Sequence, residues 1–313
     1  MSRRWLAGRW PTVARWAVTL AVVGLAGREL LRGWDQLRAQ SVTWSVRPVL
    51  LLASVLVVWL MYALLIQAWR VMLQGWHQEL GWWRSVRIWT VSSLGKYVPG
   101  KVWAIAGMAL MAQRAGVAAW AATASAVVLQ ALAVGSGAAV TGAMGTTELE
   151  AMAPWTRLAL WGLIAAATLG LVLLLWPPVT RRLLRLARVE VPAGATPGLT
   201  AVAFGLAANV IAWCGYGFGL WLLARGLLDA PALGIGHAIG AFAASYVAGL
   251  LALPAPGGIG VREVVFYAML DGVVGPANAV ALAIASRLQL TLTELGAAAP
   301  FLLSTKEPDR GPG

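Results

Sequence analysis

Charge is what this sequence has least of. Asp and Glu together number 12 in 313 residues, and all charged residues make up 12% of the chain. A soluble globular domain carries roughly a quarter of its residues as charges. Cysteine occurs once, at Cys214 inside an apolar run, so no internal disulfide forms and the redox compartment cannot be read. Histidine occurs twice, at His77 and His237. That supply, with one cysteine, makes a zinc centre improbable, and no metal or other cofactor is expected. The net charge of +12 does not point to nucleic acid, because most of the basic residues lie in short stretches beside apolar runs. There they set membrane orientation and meet anionic lipid.

Apolar sequence is abundant. Hydrophobic residues make up 60% of the chain, and several runs reach the roughly 20 residues that cross a bilayer. The fold class is therefore an all-α polytopic membrane protein, a single integral membrane domain over residues 1–313. Six full spans are predicted, over 12–30, 48–68, 117–143, 155–176, 199–223 and 277–303, with a short cytoplasmic tail over 304–313. A cleaved signal peptide competes with the first span, but no clear small-residue cleavage site follows it. The basic loop 70–87 and the four arginines of 181–188 mark the cytoplasmic side, which puts both termini inside a cell inner (plasma) membrane. Many of the 18 tryptophans, Trp44, Trp69, Trp76 and Trp83 among them, fall near run ends as interfacial anchors do. Glycines 215, 217 and 219 favour tight helix packing.

Two apolar segments are broken. Residues 88–111 are interrupted by Lys96, Pro99, Gly100 and Lys101, and residues 233–270 by the run LPAPGGIGVRE ending at Glu263. Proline removes a backbone donor and glycine permits angles other residues avoid. In lipid, irregular backbone survives only where protein or a water-filled cavity surrounds it. Both segments are predicted as re-entrant hairpins, one from each side. With the flanking spans they form an inverted repeat, and paired broken segments of this kind point to a transporter's midplane site.

Ionisable residues inside spans are costly and functional by default. The candidates for substrate binding are Lys96, Tyr97, Pro99, Gly100, Lys101, Arg114, Gly257, Gly258, Gly260, Arg262 and Glu263. Arg287 and Glu294 lie seven residues apart on one face of the last span and form a candidate internal charge network, each needing a partner from another element. One arrangement has Glu263 or Glu294 balancing Arg287, with Lys101 or Arg262 left for an anionic headgroup. The plainer alternative is that these charges pair only among themselves, or that Lys96 and Lys101 snorkel to the surface. The helix start after GGIG offers backbone N–H groups to a phosphate. No Lys-Ser/Thr pair follows it, so it is not a nucleotide loop. Gln130 and Asn209 either line a path or glue helices together.

The stretches SLGKYVPGKVWAIAGMALMAQRAGV (93–117) and LPAPGGIGVREVVF (253–266) resemble the two signature regions of the flippase-like transmembrane domain of the lysylphosphatidylglycerol synthase family. The resemblance implies a polytopic bundle that moves lipids between leaflets, and it singles out Pro99, Gly100, Lys101, Arg114, Gly257, Gly258, Arg262 and Glu263. Family members that transfer amino acids carry a large soluble domain after the membrane part. This sequence stops about ten residues past its last predicted span, so a stand-alone member without the aminoacyltransferase domain is expected. The expected function is translocation of an anionic phospholipid, an aminoacyl-phospholipid or a polyprenyl-linked lipid, with no enzymatic step. The alternatives are an accessory membrane partner of a separate synthase or glycosyltransferase, or a transferase acting on a lipid phosphate. The last would want a carboxylate base or a metal pair. No such pair is evident, the loop acids Glu148 and Glu150 being the nearest.

Overall fold

The computed structural model describes residues 44–97, 102–144, 198–228, 232–252 and 255–303, with isolated positions between 158 and 182. Among the described residues there are eight α-helices: α1 (Pro48–Gln74), α2 (Trp82–Ser93), α3 (Val102–Arg114), α4 (Ala119–Met144), α5 (Leu199–Leu227), α6 (Ile235–Leu251), α7 (Val261–Val274) and α8 (Pro276–Leu303). Short 3₁₀ turns, Leu94–Tyr97 and Pro256–Gly258, follow α2 and precede α7. The predicted span 12–30 lies outside the described residues, as do most of 155–176 and of the arginine cluster 181–188, and Pro99, Gly100 and Lys101.

Helices α1, α4 and α5, of 27, 26 and 29 residues, are long and apolar enough to cross a membrane by length and composition. Helix α8 has 28 residues, and Arg287 and Glu294 lie within it. Boundaries move from the sequence-based expectation at one place in particular. Helix α1 continues to Gln74, into what reads as a cytoplasmic loop. Arg70 is accommodated there because its Nε donates to Leu80 O at 3.0 Å and its Nη1 to Gln67 Oε1 at 2.8 Å. The first broken segment is correspondingly wider, beginning at Trp82. The tryptophans also divide. Trp44 and Trp83 are exposed, but Trp69 is fully buried with its Nε1–H on Ser125 Oγ at 2.9 Å, and Trp76 packs edge-on to Trp120. These two are core anchors against α4.

Side-chain contacts fix the helix directions. Along α1, Ser54, Trp59 and Tyr62 meet Gln289, Thr293 and Glu294 in ascending order, so α1 and α8 run parallel. Leu51, Met61 and Met72 face Gly226, Gly215 and Gly205 in descending order, so α1 and α5 run antiparallel. Trp69 and Trp76 meet Ser125 and Trp120, which makes α4 antiparallel to α1. The described chain is thus helix, broken pair, helix, twice over (α1, α2–α3, α4, then α5, α6–α7, α8), with corresponding outer helices pointing in opposite directions. Packing follows the same exchange. Helix α1 packs on α5, α4 on α6 and α8 on α2, and the two 3₁₀ turns touch each other.

Each broken pair folds back on itself. A Cβ on Gly95 would sit 2.7 Å from Ala104 N, and one on Gly107 would sit 3.6 Å from Ser92 Cβ. The feet of the first pair are joined where α1 ends, by the Ala118 N–H on Gln78 Oε1 at 2.8 Å. In the second pair Gly258, at φ +70°, lies so close to α6 that a Cβ would fall 2.8 Å from Gly249 Cα. A side chain there would be both strained and blocked, which is why glycine holds the turn.

The glycines of α5 are packing residues, as their spacing suggests. Ser54 Oγ–H donates to Gly219 O at 2.6 Å. A Cβ on Gly217 would run into the backbone of Ile239 on α6, its nitrogen at 2.8 Å. Gly217→Ala is therefore expected to destabilise the protein by about 1–3 kcal/mol. Gly296→Ala, with nothing within 4 Å of the new methyl, serves as the neutral control. Thermal unfolding of the two variants in one detergent checks this, and equal melting temperatures would refute it.

Candidate functional site

The site lies where the two broken pairs meet, beside the midpoint of α1. Helix α8 organises it. At one level Glu294, 5% exposed, receives three donors. Lys96 Nζ from the first turn forms an ion pair with Oε1. Tyr97 Oη donates to Oε2 at 2.9 Å and Tyr62 Oη, from the middle of α1, to Oε1 at 2.9 Å. Tyr97 Oη also lies 3.2 Å from Thr291 Oγ1. A carboxylate this enclosed needs such partners, because each lone pair left bare in a dry interior carries a desolvation cost.

Two turns earlier on the same helix, Arg287 Nη1 pairs with Glu263 Oε1, and Nη2 reaches Gly257 O at 3.5 Å. Glu263 Oε2 in turn accepts the Gly260 N–H at 2.7 Å. The carboxylate thereby caps the start of its own helix, at the positive end of the α7 dipole. Of the N–H groups around the start of α7, that of Gly260 is thus taken by Glu263 itself. Gly257 also brings the two breaks together, since a Cβ there would lie 3.5 Å from Tyr97 Cδ1.

Arg262 differs from the other two basic residues. Among the described residues no carboxylate lies within ion-pair reach of it. Its guanidinium carbon sits 4.5 Å from the centre of the Tyr246 ring, and its stem lies against Gly249. It faces a narrow cleft lined with Ser245, Glu263, Phe266, Ser286 and Arg287. The cleft has room for water and none for a headgroup in this conformation.

Of the sequence-predicted residues, Lys96, Tyr97, Gly257, Gly258, Gly260, Arg262, Glu263, Arg287 and Glu294 come together. Lys96 turns inward to Glu294 instead of snorkelling outward. Arg114 does not join them. It is exposed at the far end of α3, about 18 Å of helix from Val102. Asn209 bonds its own helix, Nδ2 donating to Gly205 O at 2.8 Å. Sequence reasoning missed Tyr62, Tyr246, Thr291, Ser245 and Ser286. One signal was there to find. The chain has 18 tryptophans but only five tyrosines, and Tyr62, Tyr97, Tyr216 and Tyr246 all fall within predicted spans or broken segments. In the fold these four form or adjoin this cluster.

A family model described as Lysylphosphatidylglycerol synthase TM region matches residues 12–295. The chain belongs to this family. As a member of the lysylphosphatidylglycerol synthase transmembrane family, it is a membrane domain related to lipid synthesis and translocation, and both broken pairs fall inside the matched region. A comparison with curated proteins gives no match.

Proposed function

We propose that this chain is a lipid translocase that carries an anionic headgroup between leaflets and performs no covalent chemistry. The observation that carries the reading is Arg262, a guanidinium without a carboxylate partner among the described residues, at a cleft between two broken helix pairs. An unpaired charge at membrane depth is expensive. A phosphate that passes through would complete the pair, and its own cost of entering hydrocarbon would fall in the same step. Lys101, in the first break, is a second candidate ligand for the phosphate. The arms of the broken pairs, 12 to 17 residues, are about 18–26 Å long, short of the roughly 30 Å hydrocarbon core. We read them as re-entrant hairpins from opposite faces, within an inverted repeat, the first from the cytoplasmic side. Both termini are then cytoplasmic in a plasma (inner) membrane. The acyl chains stay in lipid against the exposed leucines of α8, Leu288, Leu292 and Leu295. The lipid class is an anionic phospholipid, an aminoacyl-phospholipid or a polyprenyl-phosphate sugar.

Translocation in proteoliposomes tests this with those three labelled lipids. Arg262→Ala is expected to slow the transported lipid roughly 30-fold or more, the scale for losing one partner of a buried charge pair. Movement of none of the three by folded wild-type protein would defeat the translocase reading. It would favour an accessory partner of a separate synthase or glycosyltransferase.

A further inference from the structure

Arg262 raises a physical question that its role as an anion ligand does not answer. A guanidinium inside a helix bundle normally finds a carboxylate, and Glu263 and Glu294 are both nearby. Each is already committed, Glu263 to Arg287 and Glu294 to Lys96. What Arg262 has instead is the ring of Tyr246, at 4.5 Å. The same ring also lies 5.9 Å from Lys96 Nζ, so one tyrosine faces a cation from each of the two breaks.

The Tyr246 ring is held in place. Trp213 meets it edge-on at 5.5 Å, and Phe242 stacks on it at 5.9 Å. Trp213 is itself anchored, its Nε1–H lying 3.1 Å from both Ala133 O and Ser136 Oγ on α4. Phe242 stacks in turn on Tyr216, which meets Tyr62 at 6.0 Å. The aromatic column therefore runs from Tyr62, whose hydroxyl serves Glu294, to the ring that carries Arg262.

We infer that Tyr246 is the positioning residue of the anion site, holding Arg262 by its π face so that its N–H edge stays open. The reasoning follows from geometry. A carboxylate binds the N–H fork and cancels the charge, whereas an aromatic ring engages the flat face and leaves the in-plane donors free. Those donors suit two oxygens of a phosphate in the bidentate manner. This inference rests on the proposed anion site and names the residue that positions its guanidinium.

The experiment measures binding, not transport. Wild-type protein in nanodiscs is titrated with short-chain phosphatidylglycerol and, separately, with inorganic phosphate, using tryptophan fluorescence or calorimetry. Tyr246→Leu is expected to weaken phosphatidylglycerol binding about tenfold, the scale of a desolvated cation–π contact. Tyr246→Phe restores what leucine loses, since it keeps the ring and drops only the hydroxyl. Tyr246→Glu is expected to abolish binding, because the new carboxylate takes the guanidinium fork, whereas Tyr246→Leu, which loses the same ring packing, only weakens it; a merely structural role predicts equal losses in the two. Should Tyr246→Leu fail to fold, the comparison of Tyr246→Glu with Tyr246→Phe decides alone. Equal affinity of the phenylalanine and glutamate variants, or no binding of either probe by wild type, would overturn the inference. Phosphate binding as tight as that of the lipid would assign the site to a free anion with the role of Tyr246 unchanged. If lipid binds with this pattern but never crosses, the translocase reading falls and the positioning role stands.

Discussion

Glu294→Gln is expected to lower the stability of the protein by about 3 kcal/mol, more than any other isosteric change in the site. The carboxylate gathers an ammonium and two phenols from two other elements, the first 3₁₀ turn and α1. Glutamine keeps the shape and removes the charge, so Lys96 is left as a cation without its counter-ion among the tyrosines. Breaking a buried pair from one side costs roughly 3–5 kcal/mol. The lower end applies because the Lys96 side chain is 23% exposed and regains some hydration. Losing one neutral donor is a smaller matter: Tyr62→Phe should cost about 1.5–2 kcal/mol, the lower range for a hydrogen bond to a charged group. The decisive comparison is the double variant. Lys96→Met in the Glu294→Gln background removes the stranded charge and should recover most of the loss, as replacing both members of a buried pair by uncharged groups often does. Thermal unfolding of the four proteins in one detergent measures this. If the double variant is no more stable than Glu294→Gln alone, Lys96 and Glu294 are not coupled in the way their contact implies.

The sequence announced the breaks more clearly than it announced what fills them. Pro and Gly clusters in an otherwise unbroken apolar text have few physical explanations in lipid, so both breaks were legible, although the first broken segment begins six residues before the expected start. Arg70 disguised the end of α1. A basic residue looks like a loop until a neighbour such as Gln67 and a carbonyl such as Leu80 O are known to receive it. The spacing of Arg287 and Glu294 showed that each needed an outside partner. Which partner each takes depends on tertiary placement, and Glu263 and Lys96 were already among the candidates. Tyr246 was harder. A lone tyrosine in an apolar helix reads as core, and only the fold reveals that Arg262 and Lys96 both come to its ring. The tryptophans mislead for the opposite reason. Trp69 and Trp76 have the sequence position of interfacial anchors, yet they pack inside, against Ser125 and Trp120 of α4.

Helix α8 ties down both hairpin tips, and it does so with opposite charges. Glu294 holds the first pair through Lys96, and Arg287 holds the second through Glu263. The feet of the first pair lie at the end of α1 where Gln78 meets Ala118. Those of the second lie near the other end, where Trp44 pairs with Leu228. Releasing one clasp should therefore open the protein toward one side only. In a Cys214→Ser background, Ser92→Cys on α2 and Ser245→Cys on α6 place buried reporters on the two hairpins. With both clasps intact, a membrane-impermeant thiol reagent should modify neither. Adding Glu294→Gln should make the Ser92→Cys thiol reactive, and only from the cytoplasmic side. Adding Glu263→Gln should make the Ser245→Cys thiol reactive, and only from the other side. Reaction of both reporters from the same side would contradict the inverted arrangement of the hairpins. Equal exposure of both reporters by either substitution would contradict the independence of the clasps and leave α8 as a brace. A carrier needs the two openings to be separable, because a site open to both leaflets at once would leak.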